Sequence, residues 1–171
     1  MTERALRSPG RWVLWMLSGM LLLGCGGFAW EASGPIAQLP REGQTLPIEA
    51  RAILGGETIY LEVARSPQQQ AIGLMFRSDL APDRGMVFPF ESQRIARFWM
   101  KNVSIPLDML FVRDEEIVAI EANVPPCNED SCPLYGPSDV PVDVVIELAG
   151  GRADELGVHV GDRVAIEPLE R

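Results

Sequence analysis

Lysine and histidine are nearly absent from this sequence of 171 residues, which has one lysine, Lys101, and one histidine, His159, beside fourteen arginines. The sequence also lacks internal repeats, low-complexity segments and the GxGxxG, P-loop and HExxH motifs. With one histidine and three cysteines, it offers too few ligands for a zinc centre. Ser66, Ser104 and His159 form no recognisable nucleophile set. We therefore predict no metal site and no cofactor.

Positive charge is scarce as well, because the chain carries a formal net charge of −9. Residues 25–171 keep 12 of the 15 basic and 23 of the 24 acidic side chains, so their net charge is −11. An acidic surface repels nucleic acid and anionic lipid headgroups, and no basic patch opposes it. The composition predicts that nucleic acid is not a partner.

The longest apolar run, residues 12–23, is shorter than the roughly 20 residues that span a bilayer. Three arginines precede it, which is typical of a signal peptide. The run ends in Leu-Leu-Gly-Cys at residues 22–25, which resembles a bacterial lipobox with Cys25 as the lipidated residue. We predict a signal peptide over 1–24 and an exported lipoprotein of the cell envelope, anchored to the membrane and facing the periplasm or the extracellular side. The alternatives are an uncleaved anchor and an ordinary signal peptide.

The other two cysteines, Cys127 and Cys132, lie five residues apart between prolines in "PPCNEDSCP". In an oxidising compartment such a pair is predicted to close a small disulfide loop. The alternatives are a metal site, which lacks further ligands, and a redox-active pair, which lacks CxxC spacing. Residues 25–44 are rich in Gly, Pro and Ala, and they predict a flexible tether before the domain.

Residues 45–171 predict a single β-rich domain. "TLPIEARAIL" and "TIYLEVARS" indicate a hairpin. Ser66, Pro67 and Gln69 then form a capping-box pattern that predicts a short helix to about Met75. Five strand-like segments and the end strand "HVGDRVAIEP" follow: "GMVFPF", "RIARFWMK", "LDMLFVR", "EIVAIEANV" and "VDVVIEL". "AGGRADELG" predicts a second short helix.

The fold class is therefore mainly β (α+β). Short strands joined by turns predict a compact antiparallel, barrel-like sheet of seven or eight strands with one or two short helices.

Two charged residues stand out in "RFWMKNVSIPLDMLFVR", residues 97–113. By strand parity, Trp99 and Lys101 share one face. Lys101 either packs its stem on Trp99 in solvent or meets an anionic or carbonyl-bearing ligand in a cleft. Asp108 lies in an apolar strand, where a carboxylate must be hydrogen-bonded or paired. It either accepts backbone N–H groups or an arginine, or acts as an acid, base or ligand anchor.

Weaker candidates surround this pair. Arg77 is predicted to pair with Asp108 or bind an anion, Asn102 to hydrogen-bond or form a turn, and Tyr135 to cap a cleft. The Asp143 and Glu147 carboxylates in "VDVVIEL" are predicted to lie on a solvated face.

The segments "GLMFRSDL", "RGMVFPF", "FWMKNVSIPLDMLFV", "PPCNEDSCPLYG" and "VIELAGGRADELGVHVGD" occur in this order. Together they resemble domain-of-unknown-function family 192, also called uncharacterised protein family 0127, over roughly residues 59–164. The resemblance implies a compact, often exported β-rich domain and no established activity. Val103 stands where the family commonly has Thr, and only some members carry the paired cysteines. Among polar residues in the matching motifs, the site candidates are Arg77, Lys101, Asn102 and Asp108.

These observations favour a binding or accessory domain. Its ligand is an unknown small molecule or envelope component, bound in a polar cleft near Trp99, Lys101 and Asp108. The alternatives are a structural or protein-interaction module of the envelope, and an enzyme that uses Lys101 and Asp108 as catalytic groups.

Overall fold

The computed structural model describes residues 43–170. The predicted signal peptide, Cys25 and nearly all of the tether lie outside the described residues. The elements in chain order are β1 (Ile48–Leu54), β2 (Glu57–Val63), α1 (Pro67–Ile72), β3 (Arg84–Arg94), β4 (Leu107–Arg113), β5 (Glu116–Val124), β6 (Val142–Ala149), α2 (Arg152–Glu155) and β7 (Ile166–Pro168). Neither helix within 43–170 has the length and apolar character needed to cross a bilayer.

The seven strands form one sheet in the order β5-β4-β6-β3-β2-β1-β7. The mainly β prediction, with seven strands and two short helices, is therefore confirmed. The sheet is not closed, so "barrel-like" describes it only loosely, although residues 161–164 hydrogen-bond to the start of β5 before the chain enters β7. β2 and β3 are parallel, and all other strand pairs are antiparallel. A parallel neighbour requires a crossover connection, and the segment containing α1 supplies it.

The predicted strand "RIARFWMK" is not a full strand of the sheet. Between the end of β3 and the start of β4, the chain pairs with other segments only through two isolated bridges, Phe98 with Tyr135 and Lys101 with Cys127. Ala96 and Met100 are buried and Phe98 is half-buried, whereas Trp99 is 46% exposed. The alternation predicted from parity is present, but this segment packs across a face of the sheet instead of extending it.

Local sequence explains the turns and the first helix. Gly55 and Gly56 join β1 to β2 with φ of 57° and 86°, which glycine adopts without a steric penalty. Ser66 and Gln69 form the predicted capping box, with Pro67 in the first turn. The helix ends at Ile72, before the predicted Met75, because Gly73 takes a φ of 49° that stops it.

Each face of the sheet carries its own apolar cluster. The face covered by α2, called here the α2 face, buries Leu61, Leu110, Ile146 and Leu148 against Ala153 of the helix. The opposite face, called here the α1 face, is covered by α1 and by residues 95–103. It buries the side chains Met86, Phe88, Met109, Phe111 and Val145. Because strand side chains alternate between faces, neighbouring residues of β4 and β6 belong to different clusters.

Candidate functional site

A row of alternating glutamates and methionines crosses the α1 face. The β4–β5 register places Glu121 opposite Met109, and the β4–β6 register places Met109 opposite Glu147. Glu147 is opposite Met86 on β3, which is opposite Glu62 on β2. Directly opposed residues project to the same side of a sheet, so three carboxyl groups lie along one line with methionines between them.

The two outer glutamates of this row have hydrogen-bond partners. Glu62 forms an ion pair of 2.8 Å with Arg77 and accepts the Leu46 backbone N–H at 2.7 Å. Glu121 accepts the Gly136 backbone N–H at 3.1 Å. These contacts replace hydrogen bonds to water that the two carboxylates lose on burial.

The central glutamate has no such compensation. Glu147 is 4% exposed, and its Oε2 atom has no hydrogen-bond partner. Burial raises the pKa of Glu147 from 4.5 to about 8, because the charged form has lost its hydration. The prediction of a solvated face was wrong for this residue: α1 and residues 95–103 cover the face, and strand parity alone does not reveal that cover.

Glu147 lines a small cavity of about 30 Å³, and the half-exposed Trp99 forms part of its wall. The other lining residues are Gln70, Ala71, Ile72, Gly73, Leu74, Met75, Phe88, Phe98 and Val103. A cavity of this size holds one or two waters or a small chemical group. It adjoins an outer groove of about 360 Å³, which shares five of its lining residues, including Trp99, and adds Pro67, Phe90, Arg94 and Arg97. We call the two together the Glu147 cleft.

The walls of the Glu147 cleft are fixed by contacts between elements. The Gln70 side-chain amide donates to the carbonyls of Ala64 and Pro89, which holds α1 against the sheet. β3 loses regular pairing with β6 between Pro89 and Arg94, and Phe90 and Arg94 of this irregular stretch line the outer groove. Phe98 packs edge-on against Phe88 with ring centroids 5.0 Å apart, so the aromatic wall is anchored in the core.

Two arginines border the outer groove. The Arg94 guanidinium lies 4.4 Å from the centroid of the Phe90 ring. Arg97 donates to the Gly136 carbonyl at 2.7 Å. Both side chains therefore have contacts of their own within the protein, and both belong to solvent-exposed residues.

The predicted site residues separate into different places. Lys101 is half-buried, and its ammonium group donates to the Glu129 carbonyl within the cysteine loop. Asp108 is fully buried on the α2 face, so it lies on the opposite side of the sheet from the row that contains its neighbour Met109. Among the ion pairs of residues 43–170, none joins Lys101 to Asp108.

Asp108 uses both carboxylate oxygens in backbone contacts. Oδ1 accepts the N–H groups of Asn123 at 2.6 Å and Gly151 at 2.8 Å, and Oδ2 accepts that of Ala153 at 2.6 Å. These bonds tie β4 to the end of β5 and to the first turn of α2. They match the structural alternative for Asp108, and they leave little of the carboxylate free for chemistry.

The remaining candidates have structural contacts as well. Arg77 pairs with Glu62, so the predicted pairing with Asp108 was wrong. Asn102 has a φ of 60° and lies in the turn that the Val103 N–H closes on the Met100 carbonyl, and its own carbonyl accepts the Phe76 N–H. Tyr135 and Phe98 exchange backbone hydrogen bonds beside Trp99. Of the candidates, Trp99 alone lines the Glu147 cleft.

Cys127 and Cys132 are joined by a disulfide, as the prolines and spacing predicted. The loop that it closes is attached to the α1-face cover, because Cys127 donates its N–H to the Met100 carbonyl. No group of three or more His, Cys, Asp or Glu side chains capable of holding a metal ion occurs within 43–170.

Comparison with known proteins places the chain in a family. Residues 50–166 match the model of the family DUF192, described as Uncharacterized ACR, and the chain belongs to this family. A solved structure from Sinorhizobium meliloti 1021, described as a "putative transcription regulator", is 37% identical, with a TM-score of 0.62 over 72% of this chain and 97% of that one. A Novosphingobium aromaticivorans DSM 12444 protein of unknown function is 35% identical, with a TM-score of 0.60 over 68% and 83%. No curated protein matches the chain.

Proposed function

We propose that this protein is a lipid-anchored binding domain of the cell envelope that takes a small ligand into the Glu147 cleft. The observation that carries the proposal is Glu147, which lines the cavity together with Trp99 and whose Oε2 atom is buried without a hydrogen-bond partner. A buried polar atom without a partner costs free energy, and a bound ligand would supply the missing partner.

The contrast along the glutamate row supports a binding role for Glu147. Glu62 and Glu121 are satisfied by protein groups and stabilise the fold. Glu147 lies between them with methionines on both sides, and the adjoining cleft has an exposed tryptophan at its mouth. Ligand sites combine apolar and aromatic walls with one or two placed polar groups, and perturbed carboxyl groups are frequent in them.

This proposal moves the site away from the Lys101 and Asp108 pair. Asp108 is committed to three backbone N–H groups, and Lys101 holds the cysteine loop. The enzyme alternative built on those two residues therefore has no geometric support. Binding, with Trp99 and Glu147 as the contacting residues, is the function that the arrangement favours.

The envelope location rests on sequence. The arginine-flanked apolar run and Leu-Leu-Gly-Cys at residues 22–25 support export and lipidation of Cys25, and the lipid would be the link to the membrane. Membrane fractions of cells that express the chain should contain a form beginning at Cys25 with attached acyl groups, detected by mass spectrometry. The Cys25→Ala variant should lose the acyl mass. An unmodified Cys25 in the membrane fraction would contradict the lipid anchor.

The description of the Sinorhizobium meliloti protein raises nucleic-acid binding as another role. The formal net charge of −9 opposes this role, because affinity for DNA depends on neutralising phosphates with Lys and Arg. We therefore propose an envelope small molecule or polymer end as the partner.

A blocking variant tests whether the Glu147 cleft binds ligands. Ala71 lines both parts of the cleft and is solvent-exposed, so Ala71→Trp should fill the cleft without disturbing the core. Gln68→Trp places the same side chain at an exposed position of the same helix outside the cleft lining. In ligand-observed NMR with a fragment library, hits should be lost in Ala71→Trp and kept in Gln68→Trp. If the native protein binds no fragment, or if both variants bind alike, the proposed function fails.

A further inference from the structure

We propose that the ligand of the Glu147 cleft carries a small ammonium group, a primary amine or a methylated amine, that forms an ion pair with the Glu147 carboxylate. This inference rests on the proposed function and names the chemical class of ligand that the same site takes. The charges and hydrogen-bonding groups along the cleft wall carry it.

The inner cavity offers the Glu147 carboxyl group and aromatic faces, and its side-chain donors without a protein acceptor are the Trp99 indole N–H and a protonated Glu147. The Gln70 side chain also lines the cavity, but its amide N–H groups already bind the Ala64 and Pro89 carbonyls. An anionic ligand would find no cation there to receive it. A ligand that brings its own donors and a positive charge matches the Glu147 carboxylate, which lines the cavity and has an oxygen without a partner.

The aromatic wall suits the same ligand. Phe88 and Phe98 line the cavity with Trp99 at its mouth. A cation over the face of an aromatic ring is attracted by the ring's electron density, most strongly for tryptophan. The cavity volume of about 30 Å³ fits an ammonium or methylammonium head, with the rest of the ligand in the outer groove.

Binding of an ammonium group should release the proton of Glu147. With a pKa of about 8, the carboxyl group is about nine-tenths protonated at pH 7, and an ion pair requires the ionised form. The affinity should therefore rise with pH up to about 8. The other charged groups on this side have partners of their own: Glu62 pairs with Arg77, Glu121 accepts from Gly136, and Lys101 donates to Glu129. Arg94 and Arg97 line the outer groove, where Arg94 lies over Phe90 and Arg97 donates to Gly136. The Glu147→Gln variant isolates the contribution of Glu147.

The test uses the full chain in non-ionic detergent, with Trp12, Trp15 and Trp30 replaced by Phe, so that fluorescence reports Trp99 alone. The probes are propylammonium chloride, 1-propanol and sodium propionate, which all have three carbon atoms and differ in their polar head group. Propylammonium should shift Trp99 emission with a Kd that falls about tenfold from pH 6 to pH 7 and levels off above pH 8. In Glu147→Gln, the ammonium affinity should drop at least tenfold and lose its pH dependence. Glu121→Gln should leave both unchanged.

Every other result overturns the inference. If 1-propanol or propionate binds as tightly as propylammonium, the ammonium class is wrong while the binding function stands. If no probe shifts Trp99 emission, but fragments from the library bind the native protein and fail to bind Ala71→Trp, the cleft binds another class of ligand. If neither the probes nor the fragments bind, the proposed function fails together with the inference.

Discussion

Glu62 and Glu147 lie in the same row of the sheet with Met86 between them, but only Glu62 has a cation beside it. Two glutamates that lie two strands apart in the sheet therefore have different roles. Glu62 pairs with Arg77 and accepts the Leu46 N–H, which holds the start of the domain, whereas the buried Oε2 atom of Glu147 has no hydrogen-bond partner. The predictions below separate these roles.

Replacing Glu147 should change how stability depends on pH. Its native pKa of about 8 exceeds the unfolded value of 4.5, so between these values the native state holds one more proton than the unfolded chain. The stabilisation is complete below pH 4.5 and is lost as pH rises towards 8, by about 1.4 kcal/mol per pH unit. The free energy of unfolding of Glu147→Gln, relative to the native protein, should rise over this range and level off above pH 8. Urea denaturation across pH 5–9 measures it, and parallel curves for the two proteins would refute the assignment.

Asp108→Asn should destabilise the fold by about 3 kcal/mol. The amide that replaces one carboxylate oxygen cannot accept an N–H bond, and the remaining bonds lose the charge that strengthens them. Asp143→Asn is the matched control, since Asp143 accepts one backbone N–H, from Asp114, in a half-buried place. It should cost less than 1 kcal/mol. Equal losses in the two variants, measured by chemical denaturation, would argue against Asp108 as a structural anchor.

The Arg77–Glu62 ion pair should matter much more than an exposed pair. The side chains of Arg77 and Glu62 are 19% and 9% exposed, whereas those of Arg51 and Glu167 are 48% and 52% exposed. Arg77→Ala leaves a carboxylate buried without its cation and should cost about 3 kcal/mol. Arg51→Ala should cost less than 1 kcal/mol. Thermal and urea unfolding of both variants will compare them, and similar losses would contradict the predicted importance of burial.

Removing the disulfide should weaken the domain without unfolding it. The bond closes a short loop with a sequence separation of 5, which on the chain-entropy model contributes about 2 kcal/mol. The double variant Cys127→Ser and Cys132→Ser should keep the native far-ultraviolet circular dichroism and lose about that amount of unfolding free energy. Loss of the folded spectrum would show that the loop is required for the fold.

Sequence patterns predicted most of the sheet. The Gly55–Gly56 hairpin, the capping box at Ser66 and the strands β4 to β6 follow from local signals that tertiary packing reinforces. The parallel β2–β3 pair was missed because the helix between them has only six residues, too few to give a clear crossover signal. Residues 95–101 were misjudged as a strand, since burial alternates there without a continuous partner strand.

The candidate site was harder to predict, because its central residue resembles a surface residue in sequence. Asp108 and Glu147 both interrupt apolar strands, and only the fold shows that Asp108 meets three N–H groups while Glu147 meets none. Whether a buried carboxyl group finds hydrogen-bond donors depends on contacts between residues more than forty positions apart, such as Asp108 with Ala153. Local sequence does not reveal such contacts. Parity placed Trp99 and Lys101 on one face and left a solvated face and a cleft as alternatives; of the two residues, Trp99 lines the Glu147 cleft and Lys101 does not.

The most direct test of this account is a titration of the Glu147 side-chain carboxyl carbon by NMR, assigned by comparison with Glu147→Gln. A midpoint near pH 8 is the predicted result, because a carboxyl group buried in the cleft without a partner resists ionisation. A midpoint near 4.5 would mean that Glu147 is hydrated or paired in solution, and it would contradict the cleft as a site that awaits a ligand.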